Sequence, residues 1–461
     1  MYFLSQQEIQ RKLNSREIRI SVIGLGRVGL PLAATLANEG LKVLGVDVNK
    51  QIVAKVNAGE ALLADEVSLP QLVQTVVTKS NLRATTNMAE IKNCDLVIIA
   101  VPTLIKNEEP DIDAVKLVAD ELAQNFSSGK VVILESTVPP FTTQNVLGKA
   151  IEKRTGLKPG KDFGLAYSPE RISASRALKD LKTYPKIVAG IDERSVFIVS
   201  LVYSTFAPSI IEMSSLVAAE IEKVVENAYR DTNIAFANEL AQICEIYGID
   251  VYEIIKAANS QPYSRILNPG LVGGHCIPMD PYYIISDART RGVTLKLMQT
   301  ARRINEAMFR DVVNMVDKGS KKITILGLSF KPDVKSFETS HTLKLVRLLE
   351  EKGYDITVHD PFLDKSELLY IDSSLIASGE ATWQLPLRTL NCQLSTDLYH
   401  AIEGSDCVIL STAHSEYGQI DFGKVKKIMR GNLIIDIRGM FNPEEVFRSG
   451  LRYKGIGRIF P

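Results

Sequence analysis

Several things are scarce in this chain of 461 residues, and each shortage removes a class of function. Cysteine occurs five times, at 94, 244, 276, 392 and 407, an odd number with no paired metal-ligand spacing. That usage argues against a disulfide framework and fits a reducing compartment. Histidine is equally sparse, with five scattered residues, so no metal site is expected. Neither charge sign is in excess, because Lys+Arg and Asp+Glu number 54 each. A chain so balanced has no basic surplus for tracking nucleic acid or an anionic membrane. No apolar run approaches the ~20 residues that span a bilayer. The opening MYFLSQQEIQRKLNSREIRI lacks a basic-then-apolar leader and reads as a short polar helix, so a cytoplasmic location is expected.

What is present is an ordinary globular composition, 45% hydrophobic and 23% charged, in a chain too long for one core. Residues 18–212 alternate short apolar runs with helical segments. Strands are predicted at 18–23, 42–47, 82–86, 95–101, 130–136 and 186–190. Continuous runs of that kind indicate a parallel sheet covered on both faces. From Ser214 to Gly248 there is no Pro or interior Gly, which reads as one long helix between a Ser cap and a Gly stop. Helix continues through 303–317. A second α/β pattern then places strands at 321–328, 356–361, 406–412 and 432–438, with helices near 341–352, 421–429 and 443–449.

The first strand leads into Gly24-Leu25-Gly26-Arg27-Val28-Gly29, which opens a helix. Glycines there allow a tight turn and let a pyrophosphate approach N–H groups at the helix N-terminus. The next strand ends in Asp47, where a carboxylate would accept from ribose hydroxyls and repel a ribose phosphate. NAD is therefore expected rather than NADP. A glycine turn with Asp47 as a helix cap is the plainer alternative. Val101-Pro102-Thr103 and Glu135-Ser136-Thr137-Val138-Pro139-Pro140 end two further strands and should border the cofactor.

Glu220, Lys223 and Asn227 share one stripe of the long helix. Either this is a solvated polar face with an ion pair, or it carries chemistry. Cys276 lies in GGHCIPMDPYY (273–283), among turn residues rather than core residues, with Asp280 four positions on. The other four cysteines read as inert core filler. Cys276 reads as a nucleophile whose thiolate a cation such as Lys223 could favour.

GxGxxG, Glu-Ser-Thr-Val-Pro-Pro, Pro169-Glu170-Arg171, Ala219-Glu220-x-x-Lys223-x-x-x-Asn227 and GGHCIPMDP occur in this order over nearly the whole chain. In this the sequence resembles the UDP-sugar 6-dehydrogenases. The resemblance implies two Rossmann-like, doubly wound parallel-sheet α/β domains joined by a central long-helix segment. An NAD domain would occupy 1–212, a helical dimerisation segment with the cysteine loop 213–318, and a UDP-binding domain 319–461. It further implies two successive oxidations of a sugar 6-hydroxymethyl by NAD, through a thiohemiacetal and a thioester on Cys276.

Lys223 and Asn227 would stabilise oxyanions and Asp280 would handle protons or water. Thr137 and Glu170 would position substrate or water. The cofactor set would be Gly24, Gly26, Arg27, Val28, Gly29, Asp47, Pro102, Thr103, Ser136, Thr137, Gly273 and Cys276. The substrate set would be Glu170, Arg171, Ile172, Lys223, Asn227, Tyr263, Gly273, Phe330, Lys331 and Arg438. A UDP-sugar and a second copy of the chain are the implied partners, as a homodimer or a larger oligomer built from it.

Arg171 and the HCIPMDPYY wording resemble the branch acting on UDP-N-acetylmannosamine or UDP-N-acetylglucosamine. A UDP-glucose enzyme, a one-step NAD-dependent hydroxyacid dehydrogenase and a non-catalytic nucleotide-binding protein are the alternatives. Phe141 stands where the family has the Gly of Pro-Pro-Gly-Thr-Thr. Ser173-Ala174-Ser175 replaces the common Pro-Gly, and Glu338 occupies a position where Arg is usual.

Overall fold

The computed structural model describes residues 1–61, 63, 66, 68–337, 340–363 and 392–459, so Glu338 lies outside the described residues. The chain divides into two compact units, 1–226 with 279–294, and 227–278 with 295–461. The expected central segment, 213–318, is thereby shared between them.

The first unit is built on β1 Arg19–Ile23, β2 Lys42–Val46, β3 Leu82–Thr85, β4 Leu96–Ile99, β7 Val131–Leu134, β8 Gly164–Tyr167, β9 Lys186–Gly190 and β10 Ile210–Glu212, with a small hairpin of β5 Leu104–Lys106 and β6 Glu109–Asp111. The sheet order is β10-β9-β8-β7-β4-β1-β2-β3. Its pairs are parallel apart from β8 with β9. Side chains alternate between two apolar cores: Ile20, Val22 and Ile98 go to one, Ile23, Val97 and Ile99 to the other. A sheet buried on both faces is the reason its strands read as unbroken apolar runs. The strand order reverses between β1 and β4, so the loops leaving these strands flank the crevice in which such sheets bind ligands.

The second unit repeats the plan with β11 Lys322–Leu326, β12 Asp355–His359, β13 Gln393–Ser395, β14 Cys407–Leu410, β15 Leu433–Asp436, β16 Arg452–Gly455 and β17 Arg458–Ile459. The order is β13-β12-β11-β14-β15-β16-β17, parallel until the final antiparallel pair. Here the reversal falls between β11 and β14.

The predicted long helix runs from Leu216 to Tyr247. Ser215 Oγ accepts from the N–H of Ala218 at its start. Gly248, at φ 66°, ends it with a conformation that costs a glycine little. No described helix is long and apolar enough to cross a membrane.

Candidate active site

In the first unit, each glycine of the 24–29 turn has its own reason. Gly24 has φ 90°, and a Cβ there would lie 2.4 Å from the Ala100 carbonyl oxygen. One on Gly29 would sit 1.8 Å from Gly24 O, so the helix Gly29–Asn38 can approach β1 only because that position is bare. A Cβ on Gly26 would meet nothing within 4 Å, so this side of the turn is open. Val28, which precedes the helix, makes no side-chain cap, and Arg27 and Val28 are half-buried. An open face over an uncapped helix start fits the diphosphate of a dinucleotide.

Asp47 closes the turn. Its Oδ2 accepts from Leu25 N–H at 2.8 Å and its Oδ1 from Asn49 N–H at 2.8 Å. Asn49, not Asp47, caps the helix that follows. Half-buried, the Asp47 carboxylate keeps lone pairs for ribose hydroxyls.

The loops after β4 and β7 are stitched together. Ser136 Oγ donates to Val101 O at 2.7 Å and accepts from Val101 N–H at 3.0 Å, while Thr103 Oγ1 donates to Thr137 O at 2.6 Å. Pro102 is exposed beside them and Thr137 half-buried.

Behind this edge lies a buried trio that sequence reasoning missed. The Glu135 carboxylate takes Lys186 Nζ at 2.5 Å and Tyr203 Oη at 2.5 Å, and Lys186 also donates to Pro169 O at 3.1 Å. The trio therefore holds the backbone immediately before Glu170. A charged residue at the end of an apolar strand was its one sequence signal.

Glu170 is half-buried as a residue, yet its Oε1 is sealed from solvent with no hydrogen-bond partner among the described residues. Burial pushes this carboxyl up to about 7 against the pull of Lys223 and Lys186, and Glu135 and Asp280 raise it further. Lys223 and Asp280 are themselves buried. Arg171 pairs with Glu226 of the long helix and donates to Pro185 O at 3.2 Å, and Ile172 packs on the apolar core.

Glu220 is fully buried, so the stripe it begins is not a solvated face. Its carboxylate accepts from Phe141 N–H at 2.6 Å, Thr143 N–H at 2.7 Å and Thr143 Oγ1 at 2.6 Å, tying the Pro-Pro turn to the long helix. Phe141 has φ 70° and Ser175 φ 66°, so both glycine-replacing segments contain a left-handed residue. Arg291 lies 4.5 Å from the Phe141 ring centroid, a cation–π contact.

Asp280 begins the helix Asp280–Thr290, where the N-terminal dipole favours a carboxylate. The β5–β6 hairpin turns through Asn107 and Glu108, both left-handed. It grips this helix: Glu109 accepts from Ser286 Oγ at 2.5 Å and pairs with Arg289, and Tyr283 Oη donates to Leu104 O at 3.4 Å.

The second unit carries the other predicted residues. Cys276 is exposed and the remaining four cysteines are buried. Burial pushes the Cys392 thiol up to about 12. Asn227 is buried, with Oδ1 3.4 Å from Arg230 Nη1. Gly273 presses on His341, where a Cβ would lie 2.8 Å from its backbone N, and Gly274 on the Phe330 ring at 3.2 Å.

Arg438 donates from Nε to Ser411 O at 2.7 Å, from Nη1 to Leu271 O at 3.3 Å and from Nη2 to His341 Nε2 at 2.6 Å. Burial pushes its guanidinium down to about 10, and burial beside that cation holds His341 neutral. Lys331 is half-buried and Tyr263 93% exposed. Of the predicted catalytic residues, Thr137, Glu170, Lys223 and Asp280 thus belong to the first unit, and Asn227 and Cys276 to the second.

A dinucleotide turn with a half-buried acid, and in the same unit an acid raised toward neutrality by burial, fit an NAD-dependent oxidoreductase. The comparisons with known proteins narrow this. Residues 18–207 match the NAD binding domain of the UDP-glucose/GDP-mannose dehydrogenase family, 217–307 its central domain and 324–443 its UDP binding domain. The chain belongs to that family.

It is 31% identical over 451 residues to a UDP-N-acetyl-D-mannosamine dehydrogenase of Pyrococcus horikoshii, covering 96% of this chain and 99% of that protein. The solved structure of a UDP-D-ManNAc dehydrogenase from Pyrococcus horikoshii superposes with a TM-score of 0.84 at 30% identity, over 96% of this chain and 99% of that one. A UDP-glucose dehydrogenase from the archaeon Pyrobaculum islandicum gives 0.82 at 25% identity, over 96% and 98%.

Proposed function

We propose that the chain oxidises the 6-hydroxymethyl of a UDP-N-acetylhexosamine to the carboxylate in two steps, with UDP-N-acetylmannosamine the favoured sugar and UDP-N-acetylglucosamine the second. The names of the most similar relatives support the sugar, as do Arg171 and the absence of a second acid at Ala174. NAD, held by the 24–29 turn and Asp47, would supply the hydride acceptor for both oxidations, so that sugar, one water and two NAD would give uronate, two NADH and three protons.

This chain's residues do the remainder. A carboxylate takes the hydroxyl proton as the aldehyde forms. The Cys276 thiolate then adds to the aldehyde carbon, and the thiohemiacetal oxygen is stabilised by the Lys223 ammonium and the Asn227 amide. Loss of the second hydride gives the thioester. Water, deprotonated by Glu170 or Asp280 and positioned with Thr137, adds to its carbonyl, and the thiolate leaves.

Glu170 is the observation that carries this reading. A carboxyl whose Oε1 is sealed from solvent, pushed up to about 7 by burial against the pull of Lys223 and Lys186, can both take and return a proton at working pH. The three segments 1–212, 213–318 and 319–461 would serve NAD, dimerisation and UDP. Tyr229, Phe236, Ile243 and Tyr247, exposed along the long helix, support a homodimer through that helix. The reaction would take place in the cytoplasm, supplying uronates for polysaccharide synthesis.

The test is to count NADH per sugar across a panel of UDP-sugars. Two per N-acetylhexosamine supports the proposal. One would indicate a one-step dehydrogenase, turnover of UDP-glucose alone a UDP-glucose enzyme, and no turnover a non-catalytic protein. Cys276→Ser should stop complete oxidation; uronate formed at the normal rate by that variant would refute the covalent route.

A further inference from the structure

The segment 259–279, which ends at the helix of Asp280 and contains Cys276, has neither helix nor strand. Backbone without a ladder must find its hydrogen bonds elsewhere. Three asparagines of the second unit supply them, each from both ends of its amide. Asn233 donates to Arg265 O at 2.8 Å and accepts from Leu267 N–H at 2.7 Å. Asn259 does the same for Ile266, at 2.8 Å each way. Asn238 donates to Gly270 O at 3.2 Å and accepts from Gly270 N–H at 2.8 Å. A side-chain amide, with one acceptor and two donors, pairs with a peptide as a neighbouring strand would.

Asn238 differs from the other two in being fully buried. Its second N–H goes to Asn305 Oδ1 at 3.0 Å, and Asn305 in turn donates to Asp231 O and Oδ1 at 2.8 Å. Arg302 Nη1 donates to that same Asp231 Oδ1 at 2.6 Å. The chain of bonds fixes which end of the Asn238 amide faces which atom.

The residue it holds has no slack. Gly270 sits at φ 148°, and a Cβ there would lie 3.2 Å from Ile437 O and 3.3 Å from Arg438 Nη1. From that point the chain passes under Arg438 at Leu271 and against His341 at Gly273, and reaches Cys276 three residues later.

We infer that Asn238 is a positioning residue for Cys276, fixing the origin of the cysteine loop so that the thiol meets the aldehyde. The inference rests on the nucleophilic role proposed for Cys276. Displacing a nucleophile by about 1 Å can cost about a hundredfold in rate. The first oxidation needs no thiol; the second does.

Asn238→Ala should therefore slow the second oxidation by about a hundredfold while the first stays within about threefold. NADH per sugar should fall from two toward one, and the aldehyde should be trapped by a hydrazide. In Asn238→Asp, a carboxylate would face Gly270 O and Asn305 Oδ1. Its second-step rate relative to wild type should rise as pH falls and the acid regains a donor.

Should Asn238→Ala fail to fold, the half-exposed Asn233→Ala decides, with the same split at about tenfold. A merely structural role would slow both oxidations together. That result, or folded variants giving two NADH per sugar at the wild-type kcat, would overturn the inference. Cys276→Ser separates the two levels. If it still completes the oxidation, the covalent route is wrong; if it stalls while the asparagine variants do not, only the role of Asn238 is wrong.

Discussion

The two sheets end their first strands in the same device and use it differently. Gly24 and Gly327 have φ 90° and 94°, and their N–H groups donate to Val46 O at 2.8 Å and His359 O at 2.7 Å. The following residues, Leu25 and Leu328, donate to Asp47 and Asp360 at 2.8 and 2.7 Å. Each acid also accepts from the N–H two residues beyond itself, on Asn49 and Phe362.

There the likeness stops. Asp47 is half-buried below an open Gly26, and a helix follows at Gly29. Asp360 is fully buried, takes a further N–H from Ser329 at 2.8 Å, and is covered by His414 Nε2 at 3.0 Å. A Cβ on Gly327 would meet Thr412 at 2.5 Å, and the next helix begins only at His341. One acid keeps part of its carboxylate at the surface; the other is a structural post. The NAD domain of the family falls on the first and the UDP domain on the second.

The sharpest way to break this comparison is to remove each acid. Asp360→Ala leaves three N–H groups and a buried histidine without their acceptor, and should lower stability by about 3–5 kcal/mol in a denaturant titration. Asp47→Ala should leave stability within about 1 kcal/mol, weaken NAD by about tenfold or more in calorimetry, and narrow the preference for NAD over NADP. Equal stability losses at the two positions would erase the distinction.

Glu170 adds a pH test within the first unit. As a buried acid with its folded value raised, it binds more protons folded than unfolded between its ordinary value and about 7. Its ionised, basic form is lost as pH falls through about 7, so wild-type turnover should drop there and Glu170→Gln should flatten that limb. The same sign makes Glu170→Gln more heat-stable than wild type at pH 8 and not at pH 4.

The smallest effect belongs to Phe141. Phe141→Gly relieves the left-handed backbone while losing the Arg291 contact, whereas Phe141→Ala loses the contact and keeps the strain. Gly should exceed Ala by about 1 kcal/mol in thermal unfolding.

How far the sequence reaches differs between core and site. The strands around the β1–β4 and β11–β14 reversals were legible because both of their faces are buried. β8, the two-residue-turn hairpin, β10, β13, β16 and β17 were not. GLAY is four residues of mixed propensity, and the hairpin turns at Asn-Glu where glycine is the usual signal. In the site, the glycine turn and Asp47 follow from spacing alone. Lys223 stood out by its helix stripe and Asp280 by its place in the cysteine loop, while Glu170 stood out only through resemblance.

The supports did not stand out. Glu135 meets Lys186 and Tyr203 across 51 and 68 residues, and Glu220 reaches back 77 to Thr143. Glu220 could pass for a solvated side chain because two of its three partners are backbone N–H groups, which leave no mark in a sequence. The asparagines under the cysteine loop were hidden for the same reason.

The proposed route stands on a covalent bond to Cys276. Glu170→Gln, mixed with NAD and UDP-N-acetylmannosamine and quenched in acid within one turnover, should carry a UDP-aminouronyl thioester on the peptide containing Cys276, read by mass spectrometry. Uronate formed stoichiometrically with that peptide unmodified at every quench time would contradict the account.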